Sequence, residues 1–295
     1  MKLKLITLII AIIGLIVVGT GCVEDEQMLI VIGGKTFNEQ EILPAMISLL
    51  LEQGGYDTDI KTNLNDLTLF EAIKRGDIDI YVEYTGTAYS EVLKLPAPET
   101  YDPDEIYNDV VEGFEEEGIT VLFRLGFENA YVISVTEAWG AANNVTTISE
   151  LVPYADDLIL GTDYVFHNRS DGLLNLEKIY NLSFKEIKSG APTLMYTNID
   201  SGNVDVISAY TTDTRISSFN LRTLEDDQNA LPPYEAIVLA RDDIAQDQNI
   251  SVILAVLANQ IDTETMMELN GQYDVDLMEA VDIAETWLQE QGLLD

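Results

Sequence analysis

The chain has 295 residues, of which 47% are hydrophobic and 23% charged, a composition typical of a globular protein with room for two domains. Acidic residues outnumber basic ones by 52 to 15, and the formal net charge of −37 excludes a general nucleic-acid binder and disfavours an anionic small-molecule substrate. One cysteine excludes an internal disulfide, and one histidine argues against a His-rich metal site or a Ser-His-Asp triad. We interpret the acidity as a solvated surface adapted to high ionic strength, as in a halophilic protein.

The first 21 residues differ from the rest of the chain. Two lysines precede an aliphatic run over residues 5–18, and the only cysteine, Cys22, follows soon after. This pattern predicts an export signal over residues 1–21, lipidation of Cys22 and a linker over residues 22–27. The alternative is an uncleaved transmembrane anchor over residues 5–23, which are all uncharged. Both interpretations place the body on the extracytoplasmic face of the cell membrane, attached to it.

Strand and helix patterns alternate along the body. The predicted strands cover residues 29–32, 59–62, 78–82, 120–122, 158–160 and 204–207. The predicted helices cover residues 38–53, 67–74, 104–117, 173–180, 250–260 and 277–291, the first of them capped by Asn38. This alternation predicts α/β lobes with largely parallel sheets.

Two segments of the body resemble each other at a separation of 126 residues. IKRGDIDI at 73–80, followed by Tyr84-Thr85, corresponds to IDSGNVDV at 199–206, followed by Tyr210-Thr211. A fixed period of this kind predicts two similar lobes. Ligands of open α/β sheets bind beyond the carboxyl ends of the strands, so Tyr84 and Tyr210 are predicted to enter one cleft.

The sequence offers few of the residue combinations that catalysis needs. The segment 33–36 (GGKT) lacks the earlier glycine of a phosphate-binding loop, and no spacing of His or Cys suggests a metal, so neither a cofactor nor a metal is expected. Tyrosine stands out instead, with 14 residues against 8 Phe and 2 Trp. Tyrosines from both lobes could form an aromatic cage, which attracts a quaternary ammonium through the ring quadrupoles.

Several stretches of the body resemble one protein family. They are residues 34–40 (GKTFNEQ), 77–87 (DIDIYVEYTGT), 125–131 (LGFENAY), 166–172 (FHNRSDG) and 232–234 (PPY). Together they are similar to the substrate-binding proteins of osmoprotectant ABC transporters, which deliver glycine betaine, proline betaine, carnitine or choline. The similarity extends over residues 29–294.

The resemblance implies a two-lobed α/β fold, the type II periplasmic-binding-protein fold, with two crossover segments and the ligand in the cleft between the lobes. Lobe I would comprise residues 28–128 plus 234–295, and lobe II residues 129–233. In this family the ligand closes the lobes like a hinge, and the closed form docks on a membrane permease.

The resemblance also implies a set of site residues. A cage around the quaternary ammonium would consist of Tyr84, Tyr131, Tyr210 and Tyr234, with Asn129 at a lining position that is Asp in some relatives. The ligand carboxylate would be held by Lys35, Thr87 and Arg169. With Asn at position 129, the cage relies on its rings and on carbonyl dipoles rather than on a direct charge partner.

The expected function is therefore that of a monomeric, membrane-tethered binding protein, not an enzyme, which delivers glycine betaine, proline betaine or carnitine to an ABC permease. Choline ranks lower, because it would leave Lys35 and Arg169 without a carboxylate. The alternatives are a choline-specific receptor, a two-lobed receptor for another solute such as an amino acid or polyamine, and an extracytoplasmic carboxylate-pair hydrolase. A purely structural surface protein is the fourth.

Overall fold

The computed structural model describes residues 28–98 and 101–294, which form two α/β lobes. The predicted leader, the linker and the lipidation site at Cys22 lie outside the described residues. Within the described ranges, none of the helices has the length and apolar character needed to cross a membrane.

The first part of the chain builds most of lobe I. Its strands are β1 (Leu29–Gly33), β2 (Asp57–Lys61), β3 (Ile80–Tyr84) and β4 (Ile119–Glu128). Its helices are α1 (Glu39–Gln53), α2 (Asp66–Arg75), the short α3 (Thr85–Thr87), a π-helical turn (Ala88–Val92) and α4 (Pro103–Glu116).

The middle of the chain builds lobe II, and the last part returns to lobe I. Lobe II contains β5 (Tyr131–Thr136), α5 (Glu137–Asn143), α6 (Ile148–Leu151), a 3-10 helix (Val152–Asp157), β6 (Ile159–Asp163), α7 (Tyr164–Asn168), α8 (Leu173–Tyr180), β7 (Glu186–Gly190), α9 (Pro192–Asp200), β8 (Val206–Tyr210), α10 (Arg215–Ser218) and β9 (Leu221–Leu224). The returning part contains β10 (Glu235–Arg241), α11 (Asp242–Ala245), α12 (Gln248–Leu254), a 3-10 helix (Ala255–Leu257), α13 (Thr263–Asp274) and α14 (Ala280–Glu290).

Each lobe is built on one five-stranded sheet. The strand orders are β2-β1-β3-β10-β4 in lobe I and β7-β6-β8-β5-β9 in lobe II. The prediction of α/β lobes is confirmed, and four of the five strands in each sheet run in the same direction. The sheets are nevertheless mixed, because β10 and β5 run antiparallel to both of their neighbours. These are the two strands through which the chain enters each lobe from the other, so no crossover helix within the lobe fixes their direction.

Both faces of the lobe I sheet are covered by helices, which explains why its central strands are mostly apolar. Ile80, Val82 and Tyr84 of β3 pack with α1 and the C-terminal helices, whereas Tyr81 packs with α2 and α4 on the other face. Side chains alternate between the faces of a strand, so a strand that is buried on both sides is apolar on both. The exception in β3 is the buried Glu83, which pairs with Lys35.

The internal repeat coincides with the strand register. Ile32 of β1 lies opposite Ile80 of β3, and the corresponding residues of lobe II, Leu160 and Val206, form the same parallel pair. An aspartate before each third strand binds the first: Asp79 accepts from the backbone N–H of Val31 at 2.8 Å, and Asp205 accepts from that of Ile159 at 2.9 Å. The prediction of two similar lobes is confirmed.

Two local predictions are wrong. Asn38 makes no side-chain cap to α1, because its backbone is itself helical, with φ −49° and ψ −54°, rather than extended as in an N-cap. Its Nδ2 donates instead to Asp274 at 2.8 Å, which connects α1 with α13. The last helix begins at Ala280 rather than at residue 277, because Leu277 has a φ of +56°, in the left-handed region where a helix does not continue.

Two threonine hydroxyls hold the segments that connect the lobes. Thr85, directly after β3, donates to the carbonyl of Pro233 at 3.1 Å and accepts from the N–H of Glu235 at 3.1 Å. The equivalent Thr211 donates to the carbonyl of Glu128 at 2.7 Å and accepts from the N–H of Ala130 at 2.9 Å. Each hydroxyl therefore binds both sides of one crossover residue, Tyr234 or Asn129, and these two residues also join through a backbone hydrogen bond of 3.0 Å.

We expect Thr211→Val to lower the free energy of unfolding by about 1–2 kcal/mol, because two backbone groups of the crossover lose their partner. Thr211→Ser should retain most of the stability, since it keeps the hydroxyl. Thr197→Val is the control: its hydroxyl also binds a backbone carbonyl, that of Thr193 at 2.8 Å, but on an exposed helix face. Urea denaturation measures all three; equal losses in the two valine variants would contradict the crossover role.

Candidate ligand-binding site

A cavity of about 510 Å³ lies between the lobes and is lined by all eight residues that the sequence singled out for the site. Lobe I and the crossovers contribute Lys35, Tyr84, Thr87, Asn129 and Tyr234, and lobe II contributes Tyr131, Arg169 and Tyr210. Its volume falls within the range of about 300–1,000 Å³ that is usual for small-molecule sites. The two lobes also touch directly here, since Arg169 Nη2 donates to the hydroxyl of Ser90 at 3.0 Å.

Three of the four tyrosines form a contiguous aromatic cluster. The ring of Tyr131 lies 5.0 Å from that of Tyr210 and 5.8 Å from that of Tyr234, the second contact being edge-to-face, and it also packs against Phe166 at 4.7 Å. The fourth ring, Tyr84, packs instead against Phe37 at 6.0 Å, and the ammonium of Lys35 lies 5.1 Å from its centroid. The cavity thus has two aromatic portions, one around Tyr131 and one around Tyr84.

The phenols of this site are neutral at physiological pH. Desolvation by burial raises the pKa of Tyr131, Tyr210 and Tyr234 above the usual value of 10.0. Desolvation also raises the pKa of Tyr84, and the carboxylate of Glu39 raises it further. Neutral rings keep their electron-rich faces without adding a formal negative charge to the cavity.

Arg169 is held by an aspartate of its own loop. Its Nε and Nη2 donate to the two carboxylate oxygens of Asp171 at 2.8 and 2.7 Å. Its guanidinium carbon lies 5.7 Å from the centroid of the Tyr234 ring. This pairing fixes the plane of the guanidinium and leaves the two N–H groups of Nη1 as the donors that can face a ligand.

Lys35 is less free than the sequence suggested. Its ammonium contacts the fully buried Glu83 and, at 2.7 Å, Asp66 at the edge of the cavity. Desolvation lowers the pKa of Lys35, but the two carboxylates outweigh it and raise the pKa above 10.5. The lysine therefore stays charged, with its charge balanced by protein carboxylates.

Other lining residues were not predicted individually. They are Thr36, Phe37, Asn38, Asp66, Val165, Pro192, Thr212, Asp213, Arg215, Asn270 and Asp274. Some had a signal in the sequence: Phe37 and Asn38 belong to the stretch 34–40, and Thr212 directly follows the second Tyr-Thr pair. Asn270 ends the stretch 264–270, which also belongs to the resemblance. Arg215 pairs with Asp213 of its own loop at 2.5 Å, and the sequence analysis did not single out either residue.

A second cavity, of about 450 Å³, is a weaker candidate. Its lining includes Tyr101, Glu128, Glu225 and Asp226, and it shares only Tyr131 with the predicted site. In the part of the chain that the structure describes, no group of three or more His, Cys, Asp or Glu side chains is placed to hold a metal ion.

Gly86 determines how closely Tyr234 approaches β3. A Cβ on this glycine would lie 2.7 Å from the carbonyl oxygen of Pro233 and 2.9 Å from the Tyr234 ring. Only a residue without a side chain allows the second crossover to pack this closely, and the position of the Tyr234 ring depends on that packing.

Comparison with known proteins gives a consistent result. The family described as the substrate binding domain of ABC-type glycine betaine transport systems matches residues 29–290. A protein of Listeria monocytogenes named carnitine transport binding protein OpuCC is 32% identical over 270 residues, which cover 90% of this chain and 87% of the relative.

A second relative is longer than this chain. The ergothioneine transport permease/ergothioneine binding protein EgtU of Helicobacter pylori is 29% identical over 274 residues, which cover 91% of this chain but only 48% of the relative. Among solved structures, a glycine betaine/carnitine/choline ABC transporter protein is similar with a TM-score of 0.83 at 29% identity, covering 90% of this chain and 100% of that one. The predicted two-lobed type II fold is thereby confirmed.

We expect Gly86→Ala to lower the free energy of unfolding by about 1–3 kcal/mol, since the added methyl group meets backbone that cannot move aside without shifting the crossover. Gly190→Ala is the matched control, because its Cβ would meet only Leu194, at an ordinary 3.4 Å. Urea denaturation gives the stability, and near-ultraviolet circular dichroism reports the tyrosine packing. Two variants with the same stability and spectrum would show that the packing at Gly86 is not tight.

Proposed function

Because the chain belongs to the family of substrate-binding domains of ABC-type glycine betaine transport systems, we propose that it captures a quaternary-ammonium compatible solute and delivers it to an ABC permease. The solute is glycine betaine, proline betaine or carnitine. The observation that carries the proposal is that four neutral tyrosines and one arginine, drawn from both lobes, line a single cavity.

The tyrosines suit the cationic end of such a ligand. A trimethylammonium group has no N–H to donate, so aromatic faces attract it better than hydrogen-bond acceptors arranged for a primary amine. A desolvated contact of this kind contributes about 2 kcal/mol or more. We assign the cage to Tyr84, Tyr131, Tyr210 and Tyr234, with Asn129 beside it.

The arginine suits the carboxylate end. Arg169 is oriented by Asp171 and keeps the two donors of Nη1 for a ligand, and Thr87 adds a hydroxyl. We assign Lys35 a smaller part in holding the carboxylate than the resemblance implied, because two protein carboxylates already share its ammonium. A zwitterionic solute is compatible with the acidic chain, since it carries no net charge to be repelled.

The cellular setting is part of the same proposal. We place the body on the extracytoplasmic face of the membrane as a monomer, anchored through Cys22 or through an uncleaved N-terminal helix. We place the lobe boundaries at residues 128/129 and 233/234, where the two crossovers carry Asn129 and Tyr234. Ligand binding then closes the lobes about these crossovers, and the closed form docks on the permease.

Two alternatives remain within the binding class, and one outside it loses its support. A choline-specific receptor would use the same cage without the arginine. Ergothioneine, which is also a betaine, is the second candidate, because one relative is named for it. The carboxylate-pair hydrolase has no support, because the family is one of binding domains and not of enzymes.

A ligand screen tests the proposal. We expect glycine betaine, proline betaine or carnitine to raise the melting temperature, with about 2.7 kcal/mol of added stability at a hundredfold excess over the Kd. Choline should give a smaller shift, because it offers no carboxylate to Arg169. Differential scanning fluorimetry with these ligands and ergothioneine, at low and high salt, measures the shifts. No shift with any of them would exclude the proposed function.

A second test concerns the cage. We expect Tyr210→Ala to weaken binding about tenfold or more by isothermal titration, as the loss of one good cation–π contact predicts. Tyr210→Phe should bind much more tightly than the alanine variant, since it keeps the ring. Tyr164→Ala is the control, because Tyr164 is 62% exposed and does not line the cavity. Equal affinity of Tyr210→Ala and the unmodified protein would remove Tyr210 from the site.

A further inference from the structure

Glu39 is a fully buried carboxylate next to the cavity, and it has no part in the binding of the ligand proposed so far. It lies in the first turn of α1 and has no exposed surface. Its Oε1 accepts from the hydroxyl of Tyr84 and, at 3.0 Å, from Nδ2 of Asn129, and its Oε2 accepts from Nδ2 of Asn270, also at 3.0 Å. The three donors come from a strand end, a crossover and α13, and each of them lines the cavity.

These hydrogen bonds determine which way the side-chain amides of Asn129 and Asn270 face. Both oxygens of Glu39 act as acceptors, and only the NH₂ group of an asparagine, not its carbonyl oxygen, can donate to them. Asn270 gives its second N–H to the carbonyl of Thr212 at 3.1 Å, which uses both of its donors. The Oδ1 atoms of Asn129 and Asn270 are consequently buried without a hydrogen-bond partner among the described residues.

Two unpaired amide oxygens beside a ligand cavity favour a particular kind of ligand group. Each oxygen is the negative end of an amide dipole, and Asn270 is only 2% exposed, so solvent screens it little. A ligand group with diffuse positive charge can interact favourably with both oxygens, although it has no N–H to donate to them. The faces of the neighbouring tyrosine rings have the same polarity, so rings and oxygens attract the same group.

We propose that Glu39 is a positioning residue, which holds the amides of Asn129 and Asn270 so that their two oxygens form the negative end of the site for the ligand's quaternary ammonium. Asn270 thereby becomes a ligand-contacting residue. The inference rests on the proposed function. It predicts that the protein binds a ligand with a methylated cation more tightly than a ligand with a neutral group of the same shape.

The experiment compares two ligands of equal shape, glycine betaine and its uncharged-head analogue tert-butylacetate, by titration calorimetry. We expect the unmodified protein to prefer glycine betaine, and we expect that preference to fall about tenfold or more in Glu39→Gln, the order of effect for losing one buried polar interaction. A glutamine presents one NH₂ group where the carboxylate had an oxygen, so one asparagine turns its oxygen toward it and its own NH₂ toward the cation.

Asn270→Ala is the second variant, because it removes one oxygen while Glu39 and Asn129 stay in contact. Circular dichroism of the unliganded protein shows whether Glu39→Gln folds. If it does not, the ligand preference of Asn270→Ala tests the inference. Glu41→Gln is the matched control: it makes the same change of charge on the same turn of α1, at a residue that does not line the cavity. We expect its preference for glycine betaine to be unchanged.

The other outcomes overturn the inference. If both ligands weaken equally in Glu39→Gln and Asn270→Ala, Glu39 acts on the fold alone. If these variants lose carnitine and keep glycine betaine, the two oxygens accept a hydrogen bond from a ligand hydroxyl instead of facing the cation. If the unmodified protein binds none of these compounds, the proposed function itself fails, which is a different result.

Discussion

The site exists only where the lobes meet, so its geometry depends on the two crossover segments more than on either sheet. Each crossover carries one site residue, Asn129 or Tyr234, and a threonine hydroxyl binds the backbone on both sides of that residue. A hydroxyl that accepts and donates at once fixes a short segment without a covalent bond. Tyr234 and Asn129 are thereby held at the ends of β3 and β8 respectively.

Each cationic side chain that lines the cavity is already paired with a carboxylate of the protein. Lys35 pairs with Glu83 and Asp66, Arg169 with Asp171, and Arg215 with Asp213. Burying a charge without a partner is costly, and these pairs give each cation a partner before any ligand binds. They also limit what the cavity can attract. A ligand with a net charge would meet a field that is already balanced, whereas a zwitterion can match the local positive and negative ends separately.

The sequence predicted several elements from short-range patterns and missed the features that depend on distant partners. The repeat around Tyr84-Thr85 and Tyr210-Thr211 indicated two similar lobes, because it reflects strand register within each lobe. Four strands were not predicted, namely β5, β7, β9 and β10. The edge strand β7 is polar and largely exposed and so has no apolar run, whereas β10 is apolar and buried and could have been recognised. The direction of β5 and β10, the partner of Asn38 and the three donors around Glu39 all bring together residues far apart in the chain, which no local pattern encodes.

The two tyrosines of the repeat have different surroundings. The hydroxyl of Tyr84 donates to the buried carboxylate of Glu39, whereas the backbone N–H of Tyr210 donates to the hydroxyl of Tyr196 at 3.2 Å and its ring packs against that of Tyr131 at 5.0 Å. A phenol that donates to a carboxylate has more electron density in its ring, because hydrogen-bonded groups polarise one another in a low dielectric. The ring of Tyr84 should therefore attract a cation more strongly than a solvated tyrosine does. The repeat thus predicts where the two tyrosines lie but not the groups beside them, and a ligand with one cationic and one anionic end fits a cavity whose two aromatic portions differ in this way.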